Sequence, residues 1–152
     1  MAGQSQKQQY HSITGKMEIP YHNYVGALAS DFFIGLRDNK KITGTRCTKC
    51  NKTYVPPKSV CGFCFSKLDQ LVEVATVGSL LTFTEVTYKE PTQPVDPPFI
   101  FGVVKLDGAD TGIVHLIDEI KASDIKIGIR LQAVFKDERE GNILDIKYFK
   151  PA

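Results

Sequence analysis

RCTKCNKTYVPPKSVCGFCF, Arg46 to Phe65, contains all four cysteines of a 152-residue chain, in two Cys-x-x-Cys pairs, Cys47/Cys50 and Cys61/Cys64. One such turn converges two thiolates on a point, and two turns complete a tetrahedral shell. Ten residues separate Cys50 from Cys61, enough for a short hairpin over "TYVPPKSV" that brings the second knuckle back beside the first. This spacing predicts a zinc ribbon. Four cysteines leave no open position, so the centre is expected to hold the fold and not to react. Iron is the other metal a Cys₄ shell accepts. A thioredoxin-type redox pair would not explain the second copy, and its βαβ flanks are missing. The residue after a knuckle favours positive φ. Asn51 suits the first turn, whereas Phe65 does not suit the second, which puts that turn's geometry in question.

Around this stretch the charge is uneven. Residues 37–67 carry Arg37, Lys40, Lys41, Arg46, Lys49, Lys52, Lys58 and Lys67 against Asp38, a balance of +7 in a chain whose net charge is +2. Four thiolates around one Zn²⁺ would reduce that local balance to about +5. Such a face either grips phosphates or keeps a small ribbon soluble. Hydrophobic residues at 42% and charged residues at 24% place the whole among ordinary soluble globular chains. No apolar run approaches a membrane span. The start, "MAGQSQKQQYHSITGK", lacks the apolar segment of a secretory signal. The expected compartment is therefore the cytoplasm, where stable disulfides are rare.

On the N-terminal side, residues 1–22 are polar and read as a flexible or partner-dependent tail. Residues 23–40 read as a helix. Val25, Leu28, Phe32 and Leu36 fall near helical spacing, with Ala29 and Phe33 beside them and Asn23 as a cap. That stripe packs either on the chain's own core or on a protein partner. The ribbon is assigned to 41–74.

On the C-terminal side, residues 75–152 read as strands. "GSLLTFTEVTY", "FIFGVVKLD", "GIVHLID", "RLQAVFKD" and "ILDIKYFK" follow one another, with a turn or short helix, "EIKASDIKIG", between the third and the fourth. Five strands broken at that point match a five-stranded OB-fold barrel. The fold class is thus mainly β, an N-terminal helix and a zinc ribbon leading into the barrel. "KEPTQPVDPP", Lys89 to Pro98, would be the first long loop of the barrel, serving as a stiff linker or a contact surface.

A catalytic constellation is hard to assemble from the rest. His115 shares a strand face with Ile113 and Ile117 and reads as a satisfied, partly buried histidine. Asp118 and Glu119 are adjacent, so on a strand they point to opposite faces. These features favour a binding or assembly module. A single-stranded nucleic-acid binder is the rival class, since OB-folds and zinc ribbons both serve it. The predicted barrel is net acidic, however, and its aromatic residues are not interleaved with Lys and Arg.

The order of parts, "ASDFFIGLRDNKKITGTRC", "CTKCNKTYVPPKSVCGFC", "GSLLTFTEV", "PPFIFGVVKLDG", "GIVHLID" and "IKIGIRLQAVF", resembles the DUF35 family over about residues 24–150. The resemblance implies a helix, a rubredoxin-like zinc ribbon and an OB-fold in a small subunit that assembles with a thiolase-fold enzyme or another acyl-CoA enzyme. It implies Cys47, Cys50, Cys61 and Cys64 as structural zinc ligands, no catalytic residue of the chain's own, and CoA or acyl-CoA bound together with the partner. On that reading Arg46, Lys49, Lys52 and Lys58 meet the phosphates of CoA and Phe63 stacks on its adenine.

Overall fold

A computed structural model describes residues 10–152. Of the expected tail, residues 1–9 lie outside the described residues, and 10–22 are exposed without regular secondary structure. The helix, α1, runs Ala27–Asn39 and starts four residues after Asn23. Gly26 occupies its N-cap position at φ 84°, and no side chain caps it. Lys40 ends it in the left-handed region, donating its N–H back to Leu36. Phe32 and Leu36 are 1% and 0% exposed and lie in the same apolar cluster as Ile42, Val55, Leu80 and Phe149. The inner face of the helix is therefore part of the chain's own core. Val25, at the foot of the expected stripe, is exposed.

Three short strands form the ribbon: β1 (Ile42–Arg46), β2 (Thr53–Tyr54) and β3 (Leu71–Val74), in the order β2-β1-β3. Both neighbours of β1 are antiparallel. Buried Thr45 pins the hairpin, its hydroxyl donating to the Lys58 carbonyl and accepting from the Lys58 N–H, both at 2.9 Å.

Five strands follow: β4 (Val77–Val86), β5 (Phe99–Leu106), β6 (Ile113–Ile117), β7 (Arg130–Phe135) and β8 (Ile146–Pro151). They close into a barrel in the order β4-β5-β6-β8-β7, the β6–β8 pair being parallel. This is the OB arrangement expected from the strand pattern. Alternation drives it: Ile100, Val104 and Leu106 of β5 point inward with Leu80, Ile117, Leu131, Ile146 and Phe149. Gly78 pairs with Leu106 on one side and Leu131 on the other. A Cβ there would stand 2.2 Å from the Lys105 carbonyl, so glycine is what lets the backbones approach where the barrel closes.

The last predicted strand is shorter than expected. Ile143–Asp145 forms a 3₁₀ turn before β8. Asn142 accepts the Leu144 N–H, and the buried Asp145 carboxylate accepts the N–H groups of Glu140, Gly141 and Asn142. This capping box outcompetes strand pairing for those three residues. "EIKASDIKIG" is a run of turns whose buried Ile125 packs in the main core.

Ribbon and barrel are hydrogen-bonded to each other along the outer side of β2. Asp110, in the turn between β5 and β6, accepts the Thr53 N–H with its carboxylate and donates its own N–H to the Thr53 carbonyl, both at 2.8 Å. The Thr111 hydroxyl accepts from Val55 N–H at 2.8 Å and donates to the Val55 carbonyl at 2.9 Å.

Candidate metal centre and the surface around it

The two Cys-x-x-Cys turns are near copies of one another. Cys47 N–H donates to the Lys52 carbonyl at 2.8 Å, and Cys61 N–H donates to the Ser66 carbonyl at 2.9 Å. Asn51 and Phe65, at equivalent places, both have φ 57°. The second knuckle therefore keeps the geometry of the first despite its phenylalanine. Such a backbone is unfavourable for a residue with a bulky side chain, and the surrounding turn must impose it.

The four Sγ atoms all lie within 4.8 Å of one another. Cys47–Cys64 and Cys50–Cys61 approach to 3.4 Å and Cys50–Cys64 to 3.9 Å. A tetrahedron with Zn–S bonds of about 2.3 Å has S···S edges of roughly 3.8 Å. A disulfide needs about 2.05 Å. The cluster thus fits a four-thiolate ion and not a pair of crosslinks.

Hydrogen bonds prepare the sulfurs for charge. Cys64 N–H and Phe63 N–H point at Cys61 Sγ, and the Tyr54 hydroxyl lies 3.2 Å from the same atom. The Cys64 amide, with the Tyr54 hydroxyl next, pulls the Cys61 thiol down to about 5. The Ser66 hydroxyl, between Cys47 Sγ and Cys64 Sγ, is the main reason that Cys47 falls to about 7. Burial pushes Cys50 up to about 12. Four crowded thiols cannot all ionise unless a cation offsets their charge, and a dication at their centre does so. Tyr54 and Ser66 were not among the expected site residues. The nearest sequence signal is their place beside a knuckle, and only the folded hairpin sets their hydroxyls against sulfur.

The five residues expected to meet CoA are spread over the ribbon surface. Arg46 is exposed, its guanidinium held by two hydrogen bonds to the Asn51 side chain at 2.9 and 2.5 Å. Lys58 extends over the Tyr54 ring, 5.5 Å from its centroid. Phe63 is 70% exposed on the second knuckle. Of the five, Lys58 alone lines the groove of about 650 Å³ between the start of α1 and the ribbon hairpin, with Val25, Leu28, Pro57 and Val60. Other members of the basic run are engaged: Arg37 with Asp38 and Lys41 with Glu73.

On the barrel, the proline-rich loop joins β4 to β5. Gln93 ties it together by accepting Glu90 N–H and donating to the Tyr88 carbonyl, both at 3.0 Å. The loop rims a second groove, of about 540 Å³, with Val95, Asp96 and Pro98 facing Ile120, Lys121 and Tyr148. His115 is buried. Its Nδ1 accepts the Leu116 N–H at 2.9 Å, which leaves Nε2–H to donate to the Ile143 carbonyl at 3.2 Å. Burial lowers its pKa, so it sits as a neutral structural side chain. Glu119 accepts from the Tyr148 hydroxyl at 2.7 Å, and Asp118 accepts the Glu119 N–H. No helix among the described residues is long and apolar enough to cross a membrane.

Comparison with known proteins agrees with this layout. Residues 37–69 match the family model described as "ChsH2, rubredoxin-like zinc ribbon domain". Residues 71–136 match "ChsH2, C-terminal OB-fold domain". A "DUF35 domain-containing scaffold protein" of Methanocaldococcus jannaschii is 23% identical over 121 residues, covering 76% of this chain and 85% of the relative. Two solved structures share the fold. One, "Ltp2-ChsH2(DUF35) aldolase", has a TM-score of 0.61 at 21% identity and covers 85% of this chain and 98% of that one. The other is a DUF35 protein of unknown function from Sulfolobus solfataricus, with a TM-score of 0.59 at 23% identity, covering 74% and 81%. A helix on a zinc ribbon that runs into a closed OB barrel, matched in both halves by these domain families, makes this chain a member of the DUF35 family.

Proposed function

We propose that this chain is a non-catalytic, zinc-holding partner subunit of a thiolase-fold acyl-CoA enzyme. Cys47, Cys50, Cys61 and Cys64 bind one structural zinc, and the basic face of the ribbon completes the CoA site at the interface. The observation that carries the reading is the cluster itself: four converging sulfurs, each committed inward, at the centre of a ribbon whose rim carries exposed Arg46 and Lys49 and half-buried Lys52. Such a centre supplies rigidity to a binding surface and leaves no coordination position for a substrate. The scaffold relative and the aldolase assembly support the assignment of a partner role. A small subunit of the kind found in a benzoylsuccinyl-CoA thiolase of aromatic degradation is one form this role takes, and a scaffold between an acetoacetyl-CoA thiolase and an HMG-CoA synthase is another.

Arg46 is the leading phosphate ligand, because Asn51 already orients its guanidinium and a planar fork grips phosphate better than a lysine. The test is to recover the chain from its native host, identify its partner by mass spectrometry, and assay the complex with acyl-CoA. Losing one charge-assisted hydrogen bond of about 1.5–3 kcal/mol should raise the apparent KM of Arg46→Ala roughly tenfold or more. The kcat should change less, since the contact is remote from the bond being broken. If Arg46→Ala leaves acyl-CoA kinetics unchanged and abolishes single-stranded DNA or RNA binding, the face serves nucleic acid and the proposal fails.

A further inference from the structure

The segment ahead of α1 has the wrong composition for a spacer. Flexible linkers are built from Gly, Ser and charged residues. Residues 10–25 instead contain Tyr10, Ile13, Met17, Ile19, Tyr21, Tyr24 and Val25, all between 53% and 91% exposed. Seven large apolar side chains in sixteen residues face water. Three of them are tyrosines, a residue enriched where proteins meet. Lys16 and Glu18 pair with each other, so the segment carries little net charge to keep it solvated. In an extended chain Met17, Ile19 and Tyr21 fall on one side and Glu18 and Pro20 on the other.

We infer that residues 10–25 are a docking arm that lies extended in an apolar groove of the partner enzyme subunit. The inference rests on the partner-subunit reading and names the part of this chain that makes the contact. Area argues for it. Burying three tyrosines and four aliphatic side chains removes on the order of 700 Å² from water. A standard interface needs about 800 Å² per partner, so the arm alone supplies most of one side. The occupant is not this chain. The groove at the root of the arm offers Leu28, Ala29, Pro57 and Val60 as apolar lining, too little to cover seven such side chains, and Val25 of the arm already forms part of its wall. That groove prolongs the same apolar surface onto the folded body, where a partner seated on the arm would continue.

The test uses the full-length chain and the double variant Ile19→Asp/Tyr21→Asp. Both side chains are exposed, 69% and 77%, so zinc content and melting temperature should match the wild type. The probe is the thiolase-fold enzyme that accompanies the wild-type chain in its native host, afterwards purified alone. The double variant should bind it at least tenfold more weakly, and amides of residues 10–25 should gain exchange protection only in the wild-type complex. Binding within twofold of the wild type overturns the arm and leaves the partner reading standing. If no thiolase-fold enzyme accompanies the wild type, the partner reading falls and the inference with it. A wild-type chain that self-associates, and a variant that does not, would assign the arm to a second copy and overturn the proposal.

Discussion

The barrel buries Leu80, Val104, Leu131, Ile146 and Phe149 against one another, whereas the tip of the ribbon buries only Cys47, Tyr54, Cys61 and Leu68. The inner half of the ribbon belongs to the larger cluster through Ile42, Val55 and Val74. One small unit is therefore held in two ways, by apolar packing where it meets the barrel and by thiol chemistry where it points away. A four-residue core cannot offset the chain entropy of two knuckles. A metal can, because its binding free energy becomes folding free energy.

Removing the metal should break the comparison most severely. Cys61→Ser, or chelation of the wild type, should take the zinc content from one per chain to none. It should erase amide protection at residues 47–66 while protection in β4–β8 persists. Loss of barrel protection in parallel would show that the two regions are not held separately. Next in size is Phe32→Ala. Phe32 is 1% exposed, and truncating a buried phenylalanine costs about 3–5 kcal/mol. Denaturant unfolding should show that loss with zinc still bound, since the helix supports the apolar end and not the thiol end. An unchanged midpoint would mean that the helix packs on something other than this core.

Acidity sharpens the contrast within the barrel. The pKa of His115 is lowered by burial from its ordinary 6.5. Above that value both folded and unfolded chains hold it neutral. As pH falls below it, the unfolded chain takes up the proton first, so this contribution to stability is present above 6.5 and lost toward the folded pKa. The slope is at most about 1.4 kcal/mol per pH unit. His115→Gln should flatten that part of the stability profile between pH 7 and 5, and a wild-type profile already flat there would contradict the buried neutral ring. The smallest effect belongs to Phe65. Replacing it by glycine should relieve the positive φ and raise stability by up to about 1 kcal/mol with zinc retained. A clear loss of stability would assign the phenyl ring a packing role.

Much of this was legible because the decisive signals are local. Two Cys-x-x-Cys turns ten residues apart specify a ribbon, and runs rich in β-branched and aromatic residues such as "FIFGVVKLD" specify strands. Where the reading departed from the structure, a competing local bond or a distant partner was responsible. Asn142 and Asp145 stand at capping-box spacing, yet the run Ile143–Phe149 reads as strand until the box is weighed against it. Phe65 looked unfit for its turn because backbone preference is a single-residue property, whereas the knuckle's hydrogen bonds set φ collectively. Whether Phe32 faced a partner or the core depended on residues as far away as Phe149, which no helical period reveals.

The bonds from Asp110 and Thr111 to β2 bear on how the chain is made. The cysteine–cysteine contacts span at most 17 residues, whereas the bond from Thr53 to Asp110 spans 57. Short loops close first, and a growing chain presents its N-terminal side earliest. During synthesis the ribbon can thus gather its sulfurs well before the residues that seal its outer strand exist. For that interval the polar edge of Thr53 to Val55 stands open, and metal capture, not the barrel, has to keep the newborn ribbon in register.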